Sequence, residues 1–158
     1  MSDIYKVLND LGIEYTKYDH PAVFTAAEAK ELAGDIPGEH IKNLFLRNRK
    51  GDKHFLVVVD AEKQVDLKKL GEILGEKLGF ASPERMMTYL GVTPGSVTLL
   101  GLINDINKEV VVVIDAELEK RESLHCHPLI NTATLVISQE GITKFLQWRG
   151  NEVKKIDL

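Results

Sequence analysis

Two β-prone runs joined by a short polar connection place the strongest local constraint on this fold. Residues 44–46 and 54–59 are rich in leucine, phenylalanine and valine, whereas residues 47–53 are polar and include Gly51. Apolar runs separated by a glycine-containing connection predict a β-hairpin. The cations of the connection, Arg47, Arg49, Lys50 and Lys53, would then lie at the hairpin tip.

Apolar spacing and capping residues predict helices elsewhere. Ile4, Val7, Leu8 and Leu11 share one helical face, and Thr25 followed by Glu28 is a capping-box pattern. Asp66, Ser82 and Ser138 are further candidate caps, and Pro83 occupies a favoured first helical position. Helices are therefore predicted over residues 2–11, 25–32 and 82–90, and after Asp66 and Ser138.

Further β-prone segments complete the predicted architecture. Strands are predicted over residues 13–18, 97–100, 110–114, 124–125, 132–137 and 152–156. Helices and strands alternate without a regular strand-helix-strand rhythm, and 158 residues with 44% hydrophobic content suit one globular domain. We expect a single compact domain over residues 1–158, of mixed α/β (α+β) class, with a mixed, largely antiparallel sheet flanked by helices.

Charge and cysteine content restrict the setting. The net charge of -4 argues against a protein that coats nucleic acid through a broad basic face. The single cysteine, Cys126, can form no intrachain disulfide. Residues 1–4 lack the order of a secretory signal, and no apolar run is long enough to span a bilayer. These features predict a reducing, cytoplasmic location without membrane attachment.

Two segments offer chemistry suited to an anionic or ester-bearing ligand. Lys42 stands at the predicted start of a strand, where it could point into a cleft or merely solvate the strand end. The loop of residues 91–97 combines two glycines with Thr93 and Ser96, so its amides could line an oxyanion site. An ordinary turn is built from the same residues.

The histidine-containing segment near residue 127 supports a pocket better than a metal centre. His125 and His127 would share one face of an extended segment, but no metal-binding spacing joins them to His20, His40 or His54. No metal is therefore predicted. His127 begins a stretch in which Asn131 could fix a ligand by hydrogen bonds, or which could be a polar turn entering a strand.

Three blocks in this order, at residues 42–46, 91–97 and 127–134, resemble the YbaK/ProRS-associated editing-domain family, and residues 18–25 are also similar. The likeness is greatest to the free-standing prolyl-tRNA editing members of that family. It implies a mixed α/β domain that acts in trans on aminoacyl-tRNA and hydrolyses the ester of an amino acid wrongly attached to tRNA(Pro). Alanine is the first expectation, and cysteine or serine is the alternative.

The resemblance also assigns roles to residues. It implies catalytic parts for Lys42, Asn43 and His127, with water as the nucleophile and no cofactor. The implied substrate-binding residues are His20, Phe24, Thr25, Gly91, Val92, Thr93, Pro94, Gly95, Ser96, Val97 and Asn131. Arg47, Arg49 and Lys50, hereafter the hairpin cations, are the candidates for contact with tRNA.

Partners follow from the same resemblance. The acceptor end of tRNA(Pro) is the expected partner, with a transient association with prolyl-tRNA synthetase, while the oligomeric state stays open. A non-catalytic module that binds tRNA or another nucleic-acid end through the same pocket is the rival hypothesis from a different class.

Overall fold

Side-chain caps define where the helices begin. The computed structural model describes residues 3–23 and 25–158, and that part of the chain contains five α-helices. Thr25 caps the second helix because its Oγ1 accepts the Glu28 amide at 3.1 Å, as the capping-box pattern predicts. Asp66, Ser82 and Ser138 accept amides in the same way. The helices are α1 Ile4–Asp10, α2 Ala26–Gly34, α3 Leu67–Leu74, α4 Pro83–Leu90 and α5 Gln139–Arg149.

The first helix begins slightly later than predicted. Asp3 caps it, with one carboxylate oxygen accepting the Tyr5 amide at 2.9 Å. Ser2, the predicted first residue, lies outside the described residues.

The described residues form eight strands in two sheets, where the sequence predicts one sheet. They are β1 Tyr15–Asp19, β2 Ile41–Asn48, β3 His54–Asp60, β4 Leu78–Phe80, β5 Val110–Asp115, β6 Ser123–Cys126, β7 Ala133–Ser138 and β8 Val153–Ile156. The three-stranded sheet has the order β1-β7-β6 and is antiparallel throughout. The five-stranded sheet has the order β4-β2-β3-β5-β8, in which β3-β5 and β5-β8 are parallel and the other pairs antiparallel. The mixed, largely antiparallel class is thus confirmed.

The two sheets meet just before β2. The Glu39 amide donates to the Ser123 carbonyl at 3.0 Å, and the His125 amide donates to the Glu39 carbonyl at 3.0 Å. This parallel bridge holds β6 beside the entry to β2. It therefore brings the His125–His127 segment next to the segment that contains Lys42 and Asn43.

Side chains of β2 alternate between two apolar clusters, because successive residues of a strand point to opposite faces. Ile41 and Phe45 belong to the larger cluster, which also contains Leu124 and Phe145. Leu46 belongs to the smaller cluster, which packs against α3, and Leu44 is packed against that cluster. Burial on both faces explains why the hairpin sequence is so uniformly apolar.

The predicted strand at residues 97–100 is wrong. The structure has 3₁₀ helices at Pro94–Ser96 and Leu99–Asn104 instead, and the Thr98 side chain caps the second by accepting the Leu100 amide at 3.2 Å. The residues from Leu99 to Ile103 are all buried. A short apolar run buried on every side does not reveal its secondary structure through periodicity, which is why the prediction failed.

Two short elements were not predicted, namely β4 and a 3₁₀ helix at Ala116–Lys120. Both are brief, and β4 owes its strand character to pairing with β2 rather than to a periodic pattern of its own. Over residues 3–23 and 25–158, no helix has the length and apolar character required to cross a membrane.

Candidate active site

A cavity of about 260 Å³ lies between α2 and the strands β2 and β6. One wall is a face of α2 with small side chains at its centre, formed by Ala26, Ala29 and Ala33. Polar side chains also line the cavity. These are His20, Thr25, His40, Asn43, His125, His127, Asn131 and Thr134.

The cavity unites six of the predicted site residues from distant parts of the chain. They are His20, Thr25, Asn43, Gly95, His127 and Asn131. Phe24, another predicted contact, lies outside the described residues.

Lys42 and Asn43 face different sides of β2. Asn43 lines the cavity, whereas Lys42 shares its strand parity with Leu44 and Leu46 of the smaller apolar cluster. Lys42 is not among the described residues that line the cavity. The expectation needs correction only in that Lys42 and Asn43 do not both point into this cavity, because successive side chains of an extended strand face opposite sides.

The loop of residues 91–97 contributes less to the cavity than predicted. Gly91 ends α4 with a φ of 65°, and Val92 is buried in the core. The Ser96 amide already donates to the Thr93 carbonyl at 2.9 Å, so it is not free to bind an oxyanion. Gly95 is the only described residue of this loop that lines the cavity. The lining does not include Thr93, Pro94, Ser96 or Val97.

Hydrogen bonds fix the tautomers of the histidines in the wall. We call His20, His40, His125 and His127 the cavity histidines. A carbonyl oxygen only accepts, so the ring nitrogen that faces it carries the hydrogen. His127 Nδ1 donates to the Ala133 carbonyl at 3.4 Å, and His125 Nε2 donates to the Pro37 carbonyl at 2.8 Å. In neutral His127, Nε2 is therefore the acceptor.

His20 is oriented by two hydrogen bonds. Its Nδ1 donates to the Pro21 carbonyl at 2.9 Å, which leaves Nε2 to accept from the Thr134 hydroxyl at 2.9 Å. Both ring nitrogens of His20 are thus engaged by the protein.

Burial keeps three of the cavity histidines neutral. Desolvation lowers the pKa of His127, and the nearby His20 and His125 lower it further against the opposing effect of the Ala133 hydrogen bond. Desolvation also lowers the pKa of His40 and of His125. Their imidazoles therefore act as hydrogen-bonding groups at neutral pH and not as fixed cations.

The only cysteine is unsuited to nucleophilic attack. Cys126 lines the cavity but is almost entirely buried, and desolvation raises the pKa of its thiol to about 12. The thiolate is the reactive form of cysteine, and it is scarce at neutral pH when the pKa is so high.

Asn43 has an unused acceptor. Its Oδ1 is shielded from solvent and accepts no hydrogen bond from any residue that the structure describes. An unsatisfied buried acceptor typically costs about 1–3 kcal/mol, so native proteins seldom keep one without a role. Nearby, a Cβ placed on Gly95 would lie 3.5 Å from Asn131 Nδ2, which brings that amide close to the Gly95 backbone.

Comparison with known proteins identifies the family. A model of the aminoacyl-tRNA editing domain matches residues 20–145, a range that includes every residue lining the cavity. The chain belongs to this family. The prediction made from the three sequence blocks is confirmed.

Relatives of the editing domain support the same assignment over nearly full length. The chain is 41% identical over 152 residues to the prolyl-tRNA editing protein ProX of Acetoanaerobium sticklandii, covering 96% of this chain and 93% of the relative. It is 33% identical over 155 residues to prolyl-tRNA synthetase associated domain-containing protein 1 of Mus musculus, covering 96% and 92%.

Solved structures share the fold of this editing domain. A candidate trans-editing enzyme for prolyl tRNA synthetase superposes with a TM-score of 0.73 at 21% identity, over 100% of this chain and 98% of the other. A hypothetical protein superposes with a TM-score of 0.75 at 20% identity, over 98% of both chains.

Sequence reasoning missed part of the editing-domain cavity. His40 and His125 were considered only as metal ligands, yet both line the cavity. Over residues 3–23 and 25–158, no three histidine, cysteine or acidic side chains are placed to hold a metal ion. The signal that could have revealed the other wall is the spacing of Ala26, Ala29 and Ala33, which lies on one helical face.

The hairpin cations lie where predicted, at and beside the turn between β2 and β3. Arg49 and Lys50 are exposed in the turn. Arg47, still within β2, donates to the Arg49 carbonyl at 3.4 Å. Lys53 pairs with Glu76 at 2.9 Å, so part of its charge is neutralised within the protein.

Proposed function

We propose that this editing domain is a trans-acting deacylase that hydrolyses mischarged tRNA(Pro), with alanyl-tRNA(Pro) as its first substrate. The observation that carries the proposal is the cavity itself. In a chain of the aminoacyl-tRNA editing family, it combines a small-residue wall, the neutral His127 ring and an Asn43 oxygen that has no partner among the described residues.

The proposed reaction is direct attack of water on the aminoacyl ester. A water hydrogen bonded to His127 Nε2 adds to the ester carbonyl, the carbon–oxygen bond to the ribose breaks, and the leaving ribose oxygen takes up the proton that the water loses. A nearby ribose hydroxyl assists the proton transfer. No covalent intermediate with Cys126 is included, because its thiol is protonated.

Asn43 and Asn131 position the substrate in this proposal. Asn43 Oδ1 accepts a hydrogen bond from the substrate, either from its α-ammonium group or from a ribose hydroxyl. The Asn131 amide and the Gly95 backbone amide supply hydrogen-bond donors for the developing oxyanion. The loss of one such donor typically lowers the rate by about 100-fold or more.

The α2 wall suits a small amino acid. Ala26, Ala29 and Ala33 line the cavity on this side, and we infer that they limit the size of the side chain that enters. A synthetase discriminates one methylene by only about 1–3 kcal/mol, so small wrong amino acids need a second sieve. Alanine is favoured by the small-residue wall together with the resemblance, and serine and cysteine are the alternatives that a substrate panel separates.

The RNA contacts lie outside the cavity. We assign Lys42 to the terminal adenosine or its phosphate, approached from the other face of β2, and the hairpin cations to the acceptor stem. Such a limited contact with one end of an RNA is compatible with the net charge of -4. The proposal includes action in the cytoplasm and a transient association with prolyl-tRNA synthetase.

Turnover is the deciding measurement. Catalytic amounts of the protein are incubated with alanyl-, cysteinyl-, seryl- and prolyl-tRNA(Pro), and the release of each amino acid is followed against buffer alone. The expected result is fastest release of alanine, with prolyl-tRNA(Pro) left intact. Binding of all four without release of any would support the non-catalytic module instead.

A further inference from the structure

A second cavity, of about 290 Å³, lies between α5 and the five-stranded sheet. It shares no lining residue with the active-site cavity in the part of the chain that the structure describes. Most of its wall is aliphatic, including Val58, Ile114, Leu124, Ile142 and Leu146.

One buried polar atom in this wall has no hydrogen-bond partner among the described residues. Asn151 lines the cavity and is only 7% exposed. Its Nδ2 donates to Asp105 Oδ2 and to the Val110 carbonyl, both at 2.8 Å, which fixes the orientation of the amide. The remaining atom, Oδ1, is shielded from solvent and accepts no hydrogen bond from the described residues.

The charged residues of the cavity neutralise each other. Glu119 and Lys155, both partly exposed, form an ion pair. Gln139 donates its side-chain amide to the Leu118 carbonyl. The wall therefore offers apolar contact and one unused acceptor, and no free charge among the described lining residues.

We propose that this second cavity binds an uncharged, largely apolar small molecule that carries one N–H or O–H donor. The aliphatic wall excludes a charged ligand because burying an unpaired charge is strongly unfavourable. The donor would satisfy Asn151 Oδ1, which is shielded in the unliganded protein, once a neighbouring side chain of the wall moves aside. An apolar cavity of about 150 Å³ is sufficient for benzene, so this larger one fits a bicyclic aromatic molecule.

The second cavity takes no part in the proposed hydrolysis, but it adjoins the active-site cavity. Val58 in its wall is paired with Asn43 across the β2-β3 ladder, and Leu124 immediately precedes His125. The proposal does not rest on the deacylase function, because its test measures binding alone.

Indole and benzofuran are matched probes for this cavity. They have nearly the same shape, but only indole has an N–H donor. Titration of each into the ¹⁵N-labelled full chain, followed by NMR, should give saturable indole shifts at amides of α5, β5 and β6 with a Kd of about 1 mM or tighter. Benzofuran should bind the same place about 2- to 10-fold more weakly, the usual worth of one neutral hydrogen bond.

Two variants at the cavity mouth complete the test. Thr143 is exposed and lines the cavity, so Thr143→Trp should block it without touching Asn151, whereas Thr143→Ser should bind indole as the wild type does. Unchanged binding in Thr143→Trp, equal affinity for the two probes, no saturable binding, or shifts confined to the active-site cavity would each overturn the proposal.

Discussion

Replacing Asn43 with leucine should lower the rate of deacylation by about 10-fold or more while preserving or raising the free energy of unfolding. The substitution keeps the branched shape and the number of heavy atoms, with two methyl groups in place of the amide oxygen and nitrogen, and so removes both polar atoms of the side chain. Because Asn43 Oδ1 is buried without a partner among the described residues, the fold loses no hydrogen bond to that oxygen. An asparagine with a purely structural role would show the opposite effect on stability.

The expected magnitudes follow from two separate contributions. Removing an unsatisfied buried acceptor should raise the free energy of unfolding by about 1 kcal/mol. Leucine also suits a strand better than asparagine does, within a range of about 1 kcal/mol. The sum of about 1–2 kcal/mol corresponds to a rise in Tm of roughly 2–8 °C for a chain of this size. Deacylation should fall about 10- to 100-fold, which is the usual effect of losing one hydrogen bond to a charged group of the substrate.

The assay pairs urea denaturation with single-turnover deacylation of alanyl-tRNA(Pro). A matched control is Leu44→Met, on the next position of β2 and the opposite face, which should change neither quantity appreciably. Near-normal hydrolysis in Asn43→Leu would remove Asn43 from the proposed mechanism. A drop in the free energy of unfolding of more than about 1 kcal/mol would show instead that the asparagine supports the fold.

Three further outcomes are expected. Lys42→Ala should abolish release of alanine with an unchanged circular dichroism spectrum. Wild-type activity in this variant would exclude Lys42 from the proposed mechanism. Neutralising the hairpin cations together should weaken tRNA binding and flatten its salt dependence by about 0.7–0.9 per lost phosphate contact, unlike the exposed control pair Lys68→Gln and Lys69→Gln. The free energy of unfolding should be constant above about pH 6.5 and fall below it, because burial lowers the pKa of His40, His125 and His127 in the folded state and the unfolded chain then binds more protons. Urea denaturation at several pH values measures this slope, and a rise in stability on acidification from pH 6.5 would contradict the assignment of neutral, buried rings.

Local sequence signals determined the helices and the central hairpin. Thr25, Ser82 and Ser138 each cap a helix in the structure, because a capping interaction involves residues only three positions apart. The hairpin follows from two apolar runs and a glycine-containing turn, which are also close in the chain. The strand at residues 97–100 failed because its apolar residues are buried on every side within 3₁₀ helices.

Strand parity could have corrected one site assignment in advance. Once residues 41–48 are taken as a strand, Lys42 and Asn43 must face opposite sides. The sequence blocks identified the family and several cavity residues without that step. They did not separate a residue that faces the cavity from its neighbour that does not.

The sequence by itself determined the family, the capped helices and the polar residues of the three blocks, since each depends on neighbouring positions. Only the tertiary structure decided that the strands divide into two sheets, that Glu39 joins them, and that four histidines and the α2 alanines enclose one cavity. Burial by segments distant in the chain lowers the pKa of His127 and leaves Asn43 Oδ1 without a hydrogen-bond partner among the described residues. Desolvation depends on what surrounds a group in space, and no local pattern of residues records it.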